Sequence, residues 1–221
     1  MIYYLLLLLG IGLSLWASYN LKAKFKKFST LLYSKNVTAE VVANWILKQN
    51  GIHSIRIEHI PGSLTDHYDP TSKVLRLSDS VYGSKSVVAI GVAAHECGHA
   101  IQDANNYKPL VIRRRIVPIA NIGSKASFPI ILFGMLLRLT GLLRIGVALF
   151  AVVVVFQLVT MPVEFDASSR ACKVMEASGR FSTTELSGIK KVLSAAALTY
   201  VASALNALVQ LFRLLSMTRR R

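Results

Sequence analysis

The stretch IGVALFAVVVVFQLVTMPV, residues 145–163, decides what kind of fold this chain adopts, because only Gln157 and Thr160 in it are clearly polar. Roughly 20 apolar residues in a helix cross the hydrocarbon core of a bilayer. The run therefore predicts a membrane span over 144–163. Three further runs share its character. Residues 2–17 are almost unbroken in their apolarity, and 19–21 extend them, predicting a span over 2–21. Residues 117–137 are interrupted by Pro118, Lys125 and Pro129, and predict an irregular span over 117–138. Residues 193–215 mix Ala and Leu with Tyr200, Asn206, Gln210 and Arg213. They predict a span over 192–216 with one face packed against protein. With 53% hydrophobic residues and a mean hydropathy of +0.48, the chain reads as a mainly α integral membrane protein of about four transmembrane helices.

The charge pattern orients these spans. A cleaved signal peptide has bases before its apolar run and a small-residue cleavage site after it. Here the bases follow instead, as Lys22, Lys24, Lys26 and Lys27. The positive-inside rule then sets the amino terminus outside and the next segment in the cytoplasm. Counted onward, four spans would leave Arg219, Arg220 and Arg221 outside. The stronger basic bias of the large loop is expected to dominate over that tail. The net charge of +15 is concentrated beside the apolar runs, at Lys22 to Lys27, Arg113 to Arg115, Lys190 and Lys191. That distribution suits an anionic bilayer surface, and no recognition motif accompanies it, so nucleic acid is excluded as a partner. Cys97 and Cys172 form no disulfide framework and fit a reducing compartment.

Between the first two spans, residues 22–116 are long enough for a small α+β domain. Residues 38–49 have helical periodicity, with Val41, Val42, Trp45 and Ile46 on one side, Thr38 as cap and Gly51 as terminator. Ile55, Ile57 and His59 alternate with Arg56 and Glu58; Val74, Leu75 and Leu77 follow an Asp69-Pro70 turn signal. A short antiparallel sheet is the expectation. Residues 84–105 then read as one long helix.

In the middle of that helix lies His95-Glu96-Cys97-Gly98-His99. At about 3.6 residues per turn, His95 and His99 stack on one face and reach a single metal ion. Glu96 stands beside them as a base for a metal-activated water. An unpaired carboxylate at a buried site costs several kcal/mol, which argues against two unrelated histidines on a core helix. Gly98 leaves room for close backbone packing, and Cys97 reads as a small packing residue. The donor set of imidazoles and carboxylate suits zinc, although iron and manganese use the same ligand types. A third ligand is required. Asp103, a turn beyond His99, is placed better to support a ligand than to be one. Glu164 and Asp166 are the stronger candidates, at the edge of the cleanest span, where a carboxylate is affordable. Two spans separate His99 from Glu164, which puts both on the cytoplasmic side. The cluster Asp66-His67-Tyr68-Asp69 reads either as an Asp-stabilised turn or as a contributor to the site, with His67 a candidate oxyanion contact. Tyr68, Arg170 and Tyr200 are further candidates for that contact.

Five segments carry a resemblance that covers nearly the whole chain: Leu64-Thr65-Asp66-His67-Tyr68-Asp69-Pro70, Lys73-Val74-Leu75-Arg76-Leu77-Ser78, Ala93 through Gln102, Pro162-Val163-Glu164-Phe165-Asp166-Ala167-Ser168, and Ala195 through Ala202. Together they resemble the YugP-type neutral zinc metallopeptidases of bacterial membranes. The Glu-Phe-x-Ala portion also looks like the third-ligand segment of the wider gluzincin group, which includes HtpX-type membrane proteases. The resemblance implies a single membrane metallopeptidase domain over 1–221, with a zincin-like cytoplasmic part over 22–116 and a third-ligand segment over 164–191. It implies Zn2+ held by His95, His99 and Glu164, with Glu96 as catalytic base. The strand holding His67 is expected to run as an edge beside the cleft, offering main-chain groups to an extended peptide. HtpX-type chains have an Asp four residues after the ligating Glu, where this chain has Ser168 and instead carries Asp166. The implied activity is peptide-bond hydrolysis in the plasma membrane, on protein or peptide substrates that include membrane proteins. The rival expectation is a non-catalytic membrane scaffold that retains a structural zinc.

Overall fold

The computed structural model describes residues 2–219; Met1, Arg220 and Arg221, and with them most of the basic tail, lie outside the described residues. The elements in chain order are α1 (Ile2–Ser29), α2 (Ala39–Gln49), β1 (Arg56–Ile60), β2 (His67–Asp69), β3 (Val74–Ser78), α3 (Val87–Ala104), α4 (Lys108–Leu136), α5 (Thr140–Ala177) and α6 (Thr183–Arg219). The chain is a mainly α membrane protein with a small α+β part. Segments Leu5–Ser29, Lys108–Leu136, Thr140–Ala177 and Thr183–Thr218 are long and apolar enough to cross a bilayer. Two compact units divide the residues: Met1–Ala17, Lys108–Pro162 and Leu198–Arg221 form one, and Ser18–Tyr107 with Val163–Ala197 form the other.

In the first unit, α4 and α5 approach closely because glycines line their contact. A Cβ on Gly123 would stand 2.8 Å from the Leu149 carbonyl oxygen, and one on Gly134 2.7 Å from the Leu143 nitrogen. Small residues at such contacts let membrane helices gain dispersion energy without a hydrophobic drive. Asn206 of α6 donates to the Gly10 carbonyl at 2.9 Å and to Ser14 Oγ at 2.6 Å, a polar tie to α1. Meanwhile Leu8, Leu15 and Phe128 are each 67% exposed, an apolar exterior suited to acyl chains.

The second unit carries the sheet and the helices packed on it. Thr38 takes the N-cap position of α2 in extended conformation, but its hydroxyl bonds Glu40 Oε1 at 2.6 Å rather than a helix N–H. The buried face of α2 is Ala39, Val42, Ala43, Ile46 and Leu47, rotated from the expected one so that Val41 is 51% exposed. The alanines explain the rotation, since they permit α2 to lie close against α3. Gly51 ends the helix at φ +71°, a left-handed conformation, and Ile52 N–H returns to the Leu47 carbonyl.

Strand order is β1-β3-β2, with β1 parallel and β2 antiparallel to β3. The antiparallel expectation thus holds for one pair and fails for the other. A tight turn at 70–73 sets β3 antiparallel to β2, and the preceding loop at 61–66 has already reversed the chain after β1. The third strand therefore emerges between the other two and runs along β1. Asp69 holds the turn by accepting from Thr71 N at 2.8 Å and from the Ser72 hydroxyl at 2.6 Å. Asp66 accepts from Ser78 N at 2.7 Å and fixes the strand entry.

Helix α3 starts where Ser86 Oγ accepts from Ala89 N at 3.1 Å. It is buried nearly all round, against Leu75 and Leu77 of β3, α2, and Met175, Ile189 and Leu193 of α5 and α6. That enclosure explains its run of small apolar residues. Replacing Ile46 by Ala, at a position with no exposure, is expected to cost about 2–5 kcal/mol, whereas Val41→Ala is expected to stay within about 0.5 kcal/mol. Thermal unfolding in detergent followed by circular dichroism checks both.

Candidate metal centre

One close approach assembles the site. A Cβ on Gly98 would lie 2.3 Å from the Ala167 carbonyl oxygen, so α3 and α5 meet backbone to backbone only because residue 98 is glycine. A second glycine, Gly91, faces Ile189 of α6 at 3.1 Å by the same measure. At this contact the imidazoles of α3 face Glu164 of α5.

His95, His99 and Glu164 bring their ligand atoms within 4.8 Å of one another. Glu164 Oε2 lies 3.2 Å from His95 Nε2 and 3.5 Å from His99 Nε2. Ligands at the usual Zn–N and Zn–O lengths of about 2.0–2.1 Å in a tetrahedron are about 3.3 Å apart. Donor types and the two imidazole–carboxylate spacings therefore fit zinc. The two rings meet edge to face with centroids 4.8 Å apart. Their other nitrogens are occupied: His95 Nδ1 pairs with Ser168 Oγ and His99 Nδ1 with Gln102 Oε1, each at 3.0 Å. Both rings thus present Nε2 to the cluster.

Glu96 is 8% exposed, and its Oε2 accepts from the Tyr68 main-chain N–H at 3.0 Å. Burial pushes its carboxyl above the ordinary carboxylate range; the two imidazoles pull it back, while Glu164 and Asp66 act with burial. For His99, burial alone would lower the imidazole. The hydrogen bond and charge of Glu164, with the charge of Glu96, outweigh that and hold the ring above its ordinary value. Such a cluster could hold a dication, which would supply the positive charge that protons otherwise bring.

Other expected participants are placed elsewhere. Along β2, Tyr68 points its hydroxyl to Asp103 of α3 at 2.8 Å, so His67 and Asp69 occupy the opposite face by strand alternation. There the His67 ring pairs with the Thr65 carbonyl at 2.8 Å and with Arg76 at 3.4 Å. The group of that cluster that reaches Glu96 is the Tyr68 N–H. Asp103 pairs with Tyr68 and Lys73. Asp166 bonds Gln102 and Arg170, leaving Glu164 as the carboxylate beside the rings. Arg170 also lies over the Tyr107 ring. Cys97 is fully buried in the core, where burial raises its thiol well above the usual range. Gln102 and Ser168 were missed as ring partners. Gln102 was findable, since it lies three residues beyond His99 on the same helical face.

A mainly α membrane protein with a His, His, Glu cluster beside a buried glutamate defines the class. Within it, this chain belongs to the family described as "Putative neutral zinc metallopeptidase", which matches residues 3–219. It is 45% identical over 213 residues to "Putative membrane protease YugP" of Bacillus subtilis (strain 168), covering 96% of this chain and 95% of that one. No solved structure matches it.

Gly98→Ala is expected to force α3 from α5, with a loss of about 1–3 kcal/mol from overpacking. In contrast Gly141→Ala, with nothing within 4 Å of its Cβ, is expected to be neutral or stabilising. Melting temperatures of the two variants in the same detergent make the comparison.

Proposed function

We propose that the protein is a zinc-dependent membrane endopeptidase that hydrolyses peptide bonds at the cytoplasmic surface of the plasma membrane. The observation that carries this reading is Glu96 beside a three-ligand cluster of His95, His99 and Glu164. These three residues would hold the ion. When bound, zinc supplies positive charge that lowers the pKa of a water towards about 7 and polarises the scissile carbonyl.

The chain's own residues account for the rest. Glu96, buried and raised in pKa, is suited to take a proton from the attacking water and return it to the leaving amine. Strand β2 is a sheet edge, and the Tyr68 N–H that meets Glu96 points off that edge. An extended peptide laid along β2 meets its main-chain groups and comes to lie beside Glu96, the geometry of strand addition. Substrate class follows from position in the chain. Glu164 comes directly after the apolar run 145–163, which favours membrane proteins or segments next to the membrane as substrates. The cytoplasmic side follows from Lys22, Lys24, Lys26 and Lys27 after the first apolar run.

Glu96→Gln is expected to retain about one zinc per chain and to lose cleavage by about 10²–10⁴-fold. Glu164→Ala is expected to lose the zinc as well. Metal analysis with a peptide-library cleavage assay measures both variants, and equal background cleavage by wild type and Glu96→Gln would sink the protease reading.

A further inference from the structure

We propose that Gln102 is the positioning residue of the centre: it fixes the tautomer and ring orientation of His99 and couples them to the segment of α5 that bears Glu164. The proposal rests on the reading of His99 and Glu164 as zinc ligands. Gln102 has no exposure, so each polar atom of its amide must find a partner within the protein. Its Nε2 lies 2.7 Å from the Val163 carbonyl and 2.8 Å from Asp166 Oδ2. Both of those oxygens are acceptors, so Nε2 is the donor and the orientation of the amide is settled. Oε1 then faces His99 Nδ1 at 3.0 Å, and a carbonyl oxygen can only accept. His99 consequently carries a proton on Nδ1, so that Nε2 is the nitrogen it would offer to an ion held with His95 and Glu164.

His95 has no such constraint, because Ser168 Oγ can either donate or accept. The amide also spans the residues on either side of Glu164, binding the main chain at Val163 and the side chain at Asp166. One side chain of α3 thereby sets the ring of one ligand and the backbone next to another. Asp166 is in turn held by Arg170, which keeps the acceptor aimed at the amide. Partners of this kind orient metal-bound imidazoles, and their removal costs about 10–100-fold in metal affinity. Where a carboxylate would add negative charge, this chain uses a neutral amide.

The test uses the full-length protein in detergent, stripped of metal. Zinc affinity is measured by competition with a chromophoric chelator, and the ligand geometry by the absorption bands of bound Co2+. Gln102→Met keeps the volume and removes both hydrogen-bonding functions. Its zinc affinity is expected to fall about 10–100-fold with altered cobalt bands, whereas Val41→Ala, on the exposed face of α2, is expected to stay within about threefold of wild type. Wild-type affinity and an unchanged cobalt spectrum in Gln102→Met would overturn the proposal. A second readout needs no variant: nitrogen NMR of the zinc-loaded wild type, labelled at the histidine ring nitrogens. Protonation at Nδ1 is expected, and protonation at Nε2 would overturn the proposal even if the variant failed to fold. A wild type that binds no zinc would overturn the ligand reading and this proposal together; zinc bound equally by wild type and Gln102→Met overturns this proposal alone.

Discussion

The contact of α3 with α5 at Gly98 and Ala167 is the constraint on which the α+β unit depends. Without a side chain at residue 98 the Ala167 carbonyl comes to 2.3 Å from where a Cβ would be. Only at that separation do imidazoles on one helix reach a carboxylate on the other with Nε2 to Oε2 spacings of 3.2 and 3.5 Å. The surrounding core follows from the same demand. Ala89, Ala93, Ala94, Cys97 and Ala100 of α3 are all fully buried, and their small volumes let neighbouring elements close around the helix. Cys97 therefore needs no chemistry of its own. It fills a place where a larger residue would push the helices apart.

Concentrating Glu96, Glu164, His95 and His99 in one buried place would be unfavourable if each were judged alone. The surroundings offset this with directed partners. Tyr68 N–H serves Glu96, Ser168 serves His95, and Gln102 serves His99. Lys73 and Tyr68 hold Asp103, and Arg170 holds Asp166, so these outer carboxylates have partners of their own. Charge thus remains concentrated at three ligand groups and one base. A divalent cation is the species that such an arrangement stabilises most.

The parts legible in the sequence were those governed by a single periodicity. Bilayer thickness imposes a length on apolar runs, so four such helices were foreseeable; helical spacing imposes the pairing of His95 with His99. Relations between elements were less legible. The parallel β1 and β3 pairing depends on where the loop at 61–66 returns the chain, which no local pattern encodes. The buried face of α2 was misjudged at Val41 because Ala39 and Ala43 carry little hydrophobic signal yet decide which face approaches α3. His67 was attractive as an imidazole, but strand alternation turns it towards Arg76 and offers the Tyr68 main chain instead. Gln102 shows the same limit: its helical register with His99 was readable, while its bonds to Val163 and Asp166 required α5 in place.

The arrangement also bears on whether the metal would be structural or catalytic. A structural zinc site closes its tetrahedron with four protein ligands; a catalytic one leaves a position for water or substrate. Among the described residues the cluster contains three ligand groups, and the buried carboxylate Glu96 is held by Tyr68 N–H on the sheet edge. A closed structural site does not require a carboxyl there, where burial raises its pKa and disfavours its charge. A base for a water at the open position needs such a group, close to the ligands and tunable towards neutral pH. Glu96 is therefore the residue on which the two interpretations differ, because a base for an attacking water calls for a carboxyl beside the ligands and a closed structural site does not.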